Sequence, residues 1–201
     1  MLLDFSVLSP REAYGWLIST IMPRPIAWVS TISGSGRTNL APFSFFQGVT
    51  ASPPTLLFVG ANTRDGRKKD TIRNVEEVSE FVVNLVPHAL AQVMSATSAA
   101  LPSGESEFEA FGIAAAPSER VRPPRVAEAP IAFECQLDRI VVVGEGPFAG
   151  NVVFGRIQLA HARDAVLGSD GKPDSGKLDL IGRLGGDGYT RTRDRFEIER
   201  A

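Results

Sequence analysis

The sequence predicts a mainly β protein, an antiparallel barrel with short helices on its rim. Three observations lead there. Short segments rich in β-branched and aromatic residues recur along the chain, each closed by glycine, proline or a polar cluster, and they number about six to eight. Turns of hairpin type join several of them, Ser33-Gly34-Ser35-Gly36 being the clearest, because glycine supplies the positive φ such turns need. Helical periodicity is confined to a few short stretches. No internal repeat, coiled coil or interdomain linker interrupts the pattern, so residues 1–201 are read as one domain.

With 43% hydrophobic and 22% charged residues, the 201-residue chain can bury a full core. A formal net charge of −2 gives no reason to expect nucleic acid or an anionic membrane as partner. No apolar run reaches the roughly 20 residues that cross a bilayer. The N-terminal stretch MLLDFSVLSPREAYGW has no basic segment leading into a long apolar one, so it is not read as a secretory signal. The single cysteine, Cys135, excludes an internal disulfide. A cytoplasmic location is the resulting expectation. No metal is expected, since His88 and His161 lie far apart and outside any ligand-spaced cluster; surface or structural roles are assigned to both. There is neither a nucleophile elbow nor a P-loop, so no side chain is assigned as catalytic. The chemistry is expected to come from an organic cofactor.

Ser9-Pro10-Arg11-Glu12 predicts a helix start, with serine as cap, proline at the first helical position and glutamate three residues on. Ala13, Trp16 and Leu17 continue it at helical spacing, and it ends before Met22-Pro23. Pro23 and Pro25 hold Arg24 extended and fix where its guanidinium points, toward an anion or a surface ion pair. Ile26 to Ile32 is a strand buried on both faces. After the glycine turn and a second strand, Asn39 to Phe46 reads as a loop. It mixes a proline, hydroxyl and amide groups and three phenylalanines. Such a loop suits a flat, partly apolar ligand with a polar edge, or simply the aromatic core of a hairpin.

Gln47 to Thr50 form a strand that Ser52-Pro53-Pro54 stops, and Thr55 to Gly60 form the next. Arg67-Lys68-Lys69 then run into a helix carrying Ile72, Val75 and Val78, with Asp70 or Thr71 as its N-cap. Basic residues at a helix start can hold an anion such as phosphate, or can form a solvated basic turn. Phe81 to Val86 is a buried strand, and Pro87 opens a second helix with Leu90, Val93 and Met94 on its apolar side. It runs out in Ser95 to Ala99, small residues able to pack against a ligand or another subunit. Pro102 to Pro130 is mostly irregular, with one helical turn around Phe108. Ile131 to Val143 and Asn151 to Ala162 are long strands joined by a turn. Asp174 caps a short helical piece, Leu184 to Thr190 is a glycine-rich turn, and Arg195 to Glu199 is a last strand-like segment.

Taken together, Pro23 to Thr31, Asn39 to Phe46, Lys69-Asp70-Thr71, Phe81 to Val86, Ser118 to Pro124 and Arg183 to Asp187 resemble the flavin reductase-like family, whose members have an FMN-binding split barrel. The segments occur in the family's order and span most of the chain between Met22 and Tyr189. The resemblance implies a split antiparallel barrel, a homodimer, and FMN bound near the subunit interface. Ala41, Pro42, Phe43, Ser44 and Phe45 would then border the isoalloxazine. Ser30, Thr31, Lys69 and Thr71 would surround the phosphate, with Asp70 as a helix cap. Arg24, Ser95 and Thr97 are further cofactor-binding candidates, and the Gly185 to Tyr189 turn would reach the flavin edge or the partner subunit. NADH or NADPH would pass hydride to flavin N5, and electrons would go on to free flavin, a separate monooxygenase or another acceptor. Two other readings stand beside this FMN-dependent NAD(P)H oxidoreductase: an FMN-binding electron-transfer protein that does not use nicotinamide, and a cofactor-free interaction module. Ser44, Lys69, Asp70 and Thr71 argue against the module.

Overall fold

The protein is described from a computed structural model, which covers residues 1–102 and 105–199. The chain begins with α1 (Pro10–Thr20), whose Ser9 hydroxyl accepts from the Glu12 N–H while Glu12 reaches back to the Ser9 N–H, the reciprocal cap expected there. β1 (Arg24–Pro25) and β2 (Ala27–Ile32) follow, then β3 (Thr38–Phe43), β4 (Phe46–Ala51) and β5 (Pro54–Ala61). The rest of the first half is α2 (Asp70–Val78), β6 (Glu80–Leu85) and α3 (Ala91–Ala96). Beyond it lie α4 (Glu107–Ala110), β7 (Ala115–Ala116), β8 (Arg125–Val126), β9 (Ile131–Val143) and β10 (Gly150–Ala162). α5 (Ser175–Leu178), β11 (Ile181–Arg183) and β12 (Tyr189–Arg191) complete the order.

Seven strands form one antiparallel sheet in the order β3-β2-β6-β9-β10-β5-β4. Its two edges, β3 and β4, are consecutive in the chain and separated only by Ser44 and Phe45. The sheet curls so that one face closes on itself. Ala27 and Val29 of β2, Phe43 of β3, Phe58 of β5, Phe81 and Val83 of β6, Cys135 of β9 and Val153 of β10 meet in a single cluster. Ile72 and Val75 of α2 join the same cluster. Phe58 sits at its centre, with its ring 5.0 Å from Phe43 and 5.4 Å edge-on from Phe81. Gly155 on β10 is what lets Phe81 in, because a Cβ there would lie 2.2 Å from the ring. The architecture is a split β-barrel, as the sequence predicts.

β2 is buried on both faces, as its apolar run implies. Its outer face, through Trp28, packs with Ile26, Leu40, Val86, Met94, Phe108, Val126 and Ile181. A small sheet, β1-β11-β12, lies beside this outer layer, and Ile181 N–H donates to Val86 O at 3.1 Å. The connection between α3 and β9, which includes residues 103 and 104 outside the described set, is held down by Phe108 and by Glu134. The Glu134 carboxylate is fully buried on β9 and accepts from the backbone N–H groups of Glu119 and Arg120 and from His161 Nε2.

Three expectations are corrected. Asn39 to Phe43 is strand, not loop, and only Ser44 and Phe45 turn the chain. Pro42 is tolerated because it faces outward along an edge. Leu40, two residues away, points its N–H away from β2 to Glu107 Oε2, so a missing donor at Pro42 breaks no ladder bond. Asp70 and Thr71 do not cap α2: Lys69 occupies that position without a side-chain bond, and Asp70 is the first helical residue, paired with Arg73. Arg195 to Glu199 is not a strand; Phe196 and Ile198 are exposed there, with no sheet edge to join.

Burial opposes ionisation of Glu134, but the two backbone donors and His161 outweigh it and hold the carboxyl below its ordinary value of 4.5. A depressed carboxyl stabilises the fold above that ordinary value, and the stabilisation disappears as pH falls through the folded pKa. Glu134→Gln should therefore lose about 2 kcal/mol at neutral pH. In urea titrations the gap to wild type should close below pH 4.5; a gap independent of pH would show that the charge is not what holds the loop.

Candidate functional site

A cavity of about 840 Å³ opens where the β3 edge meets the small sheet and α3. Its walls come from elements distant in sequence: Tyr14 of α1, Ile26, Pro42 and Ser44 around the β3 edge, and Met94 and Ser95 of α3. His88 and Ser98 flank α3, while Arg183, Asp187, Tyr189 and Arg191 come from β11, β12 and the turn between them. Pro42, Ile26, Met94 and the tyrosine rings give it apolar surface; the rest supplies hydroxyls and charges. The lining is more polar than apolar, and the volume lies within the roughly 300–1,000 Å³ usual for a small-molecule site.

Several walls are set by interactions one layer back. The Arg183 guanidinium stacks on the Tyr189 ring at 4.4 Å and donates to Gly186 O, which holds the glycine-rich turn against the cavity. Arg191 is neutralised by a two-point contact with Asp179. Ser44 Oγ accepts from Arg24 Nε at 3.4 Å, and Phe45 sets its ring 6.4 Å from that of Tyr14.

On the barrel side of β3 lies a second polar group. Lys69, at the N-cap of α2, is exposed and carries Nζ 5.7 Å above the Phe43 ring. Thr71 Oγ1 accepts from Asn39 Nδ2 at 2.9 Å, and Thr31 Oγ1 accepts from Asn74 Nδ2 at 3.0 Å. These bonds tie the first turns of α2 to β2 and β3. The first N–H groups of α2 receive no side-chain cap.

The structure thus sorts the sequence candidates into three sets. Pro42, Ser44 and Ser95 line the cavity. Lys69, Thr71 and Thr31 gather at the start of α2, across the edge strand, with Ala41 and Phe43 facing the barrel core beneath them. Arg24, Ser30 and Thr97 are internal. Ser30 donates to Pro124 O, and Thr97 Oγ1 accepts from the Trp28 indole and donates to Met94 O. Ser30 and Thr31 lie on opposite faces of β2, as successive strand residues do, and both are fully buried. Phe45 borders the cavity only through Tyr14. Tyr14, Gln92, Thr190 and Arg191 are walls that the sequence reading missed, and His88 lines the cavity where it had no assigned role in a site. The glycine-rich turn was the one signal for that side.

An incompletely closed β-barrel with a ligand-sized cavity at its open edge is the class of protein that fold and site define. The chain belongs to the flavin reductase-like family: the family model described as "Flavin reductase like domain" matches residues 19–172. A Deinococcus radiodurans protein without an assigned function is 42% identical over 204 residues, covering 98% of this chain and 88% of its own. The structure of nitrilotriacetate monooxygenase component B from Bacillus cereus superposes with a TM-score of 0.93 at 31% identity, covering 98% of both chains. A Shewanella frigidimarina structure with a split barrel domain matches over 100% of both chains with a TM-score of 0.84 at 22% identity, a likeness of fold.

One buried carboxyl borders the outer edge of β3. Glu107 on α4 holds the Leu40 N–H, and burial, the largest effect, pushes its carboxyl above the ordinary value of 4.5 despite that bond. A raised acid favours the folded state at low pH and loses that advantage as pH rises. Wild type should therefore lose stability relative to Glu107→Gln as pH rises from 4.5, levelling once the folded carboxyl has ionised. Denaturation midpoints of the two proteins from pH 4 to 8 check this, on a scale of about 1 kcal/mol.

Proposed function

We propose that the protein binds FMN along the β3 edge and acts as an NAD(P)H-dependent, flavin reductase-like oxidoreductase that passes electrons to free flavin or another acceptor. The observation that carries this reading is the pairing of two sites across one edge strand. The cavity at Pro42 and Ser44 lies on one side, and the basic, uncapped start of α2 lies on the other. A flat ring with an anionic tail suits both. Membership of the flavin reductase-like family supports the choice of flavin.

The residues fit that group. Pro42, Ile26 and Met94 offer apolar surface to a ring, and Ser44, whose oxygen already accepts from Arg24, keeps its proton for a ring acceptor. Lys69 and the first N–H groups of α2 offer charge and donors to a phosphate. Thr31 and Thr71 act from behind, through Asn74 and Asn39, by fixing where α2 begins. When bound, the flavin supplies hydride acceptance and donation, so the protein's part is orientation and electrostatics. Arg183, His88 and Gln92 line the same cavity and offer donors for a nicotinamide nucleotide.

We further propose a homodimer. α1 buries no residue in one chain, Tyr14, Trp16, Leu17, Ile21 and Met22 leave apolar surface there, and the edge strand β4 is exposed as well. Analytical ultracentrifugation should give two copies per particle; a monomer at all concentrations would remove this part of the reading. We assign the protein to the cytoplasm, in keeping with a single buried cysteine.

The reading is tested by incubating the protein with FMN, desalting it, and adding NADH or NADPH without oxygen. Retained flavin bands that bleach with one nucleotide are expected. Bands that bleach with dithionite alone would instead indicate an electron carrier, and absence of retained flavin with no binding on titration would overturn the site. Lys69→Ala should weaken FMN roughly tenfold, about 1.4 kcal/mol, while riboflavin changes less than about twofold. Equal losses for the two ligands would remove Lys69 from the phosphate.

A further inference from the structure

Arg24 is a buried charge without a counter-charge. It is 4% exposed, and its guanidinium donates to the carbonyls of Ile18, Ile21 and Leu184 and, through Nε, to Ser44 Oγ. All four partners are neutral, and among the described residues no carboxylate oxygen lies within 4.0 Å of it. In the β1–β11 ladder the residue directly opposite is Arg183, so two cations face each other where like charges repel. Among the described residues, the one acid within 4.0 Å of Arg183 is Asp187, 3.9 Å away and fully exposed, too solvated to offset a buried charge. Burial pulls the Arg24 guanidinium below its ordinary value; the neighbouring Tyr14 hydroxyl acts against this and Arg183 with it, yet arginine stays charged.

Such an arrangement is unfavourable in isolation. The three carbonyls explain how Arg24 joins the end of α1 to the glycine-rich turn, but a neutral donor would serve that purpose. The fourth contact leads to the cavity: Ser44 lies between Arg24 and the open space and has its proton free for an acceptor there.

We propose that Arg24 is a positioning residue which, through Ser44, favours negative charge in the cavity and so favours the reduced over the oxidised form of a bound flavin. This rests on the reading that the flavin ring lies beside Pro42 and Ser44. Two-electron reduction adds two electrons and one proton to the neutral oxidised ring and leaves a monoanion. A fixed cation in a poorly solvated setting attracts that anion and has little hold on the neutral ring.

The test is the midpoint potential of bound FMN, reduced anaerobically with dithionite against a dye of known potential, in wild type, Arg24→Gln, Arg24→Lys and Ser44→Ala. Affinity for oxidised FMN and circular dichroism are measured alongside. Arg24→Gln should weaken the reduced form about tenfold more than the oxidised, a potential about 30 mV more negative. Ser44→Ala should shift it the same way, and Arg24→Lys, which keeps the charge, should stay near wild type. A folded, FMN-binding Arg24→Gln with the wild-type potential overturns the proposal. If that variant does not fold, Ser44→Ala decides, since it leaves the three carbonyl bonds in place, and an unchanged potential is again fatal. Wild type that binds no FMN would overturn the cavity reading itself, a result distinct from bound flavin with an insensitive potential.

Discussion

Five successive residues of β2, Ala27 to Thr31, have no exposed surface at all. A strand enclosed in this way must satisfy each polar side chain from within, and each bond it makes recruits another layer. Ser30 reaches outward to Pro124 O and Thr31 inward to Asn74 midway along α2. Trp28 sends its indole N–H to Thr97 at the end of α3. Helices, loop and barrel are thereby referred to one strand, and β3, hydrogen-bonded along its length, inherits the same position. The cavity and the basic start of α2 are thus separate places set by one hairpin.

The buried charges act in a related way. Arg24, Glu107 and Glu134 are drawn from water mainly to hold backbone: carbonyls in the first case, N–H groups in the other two. Backbone dipoles satisfy a charge without neutralising it, so each side chain clamps a loop while leaving a net field nearby. Glu134 is additionally compensated by His161. Among the described residues Arg24 has no such partner, and Ser44 stands between it and the cavity.

Most of the barrel was legible because its strands are apolar runs with clear breakers, and α1 because its capping box is local chemistry. β3 was not, because Pro42 and the polar residues around it read as loop unless the strand is known to lie at an edge. That is a property of sheet order, not of the segment. The start of α2 misled for another reason. Asp70 and Thr71 are good capping residues, but Thr71 Oγ1 is engaged by Asn39 from β3, a partner 32 residues away. Pro42, Ser44 and Ser95, each within a recognisable stretch, line the cavity, and Lys69 stands at the start of α2. Tyr14, Gln92 and Arg191 were missed because only tertiary folding brings α1, α3 and β12 to one space. Ser30 and Thr31 are neighbours in sequence, which in a strand places them on opposite faces.

The outer edge of β3 has one further consequence. An exposed strand edge ordinarily invites another polypeptide to add itself by main-chain pairing. Here Leu40 has its outward N–H occupied by the Glu107 carboxylate, and Pro42 has none to offer. Two successive docking points for an incoming strand are therefore missing, while the carbonyls, the proline ring and the Ser44 hydroxyl remain in reach of a small molecule. The split in the barrel can stay open for a ligand without becoming a seam along which chains aggregate.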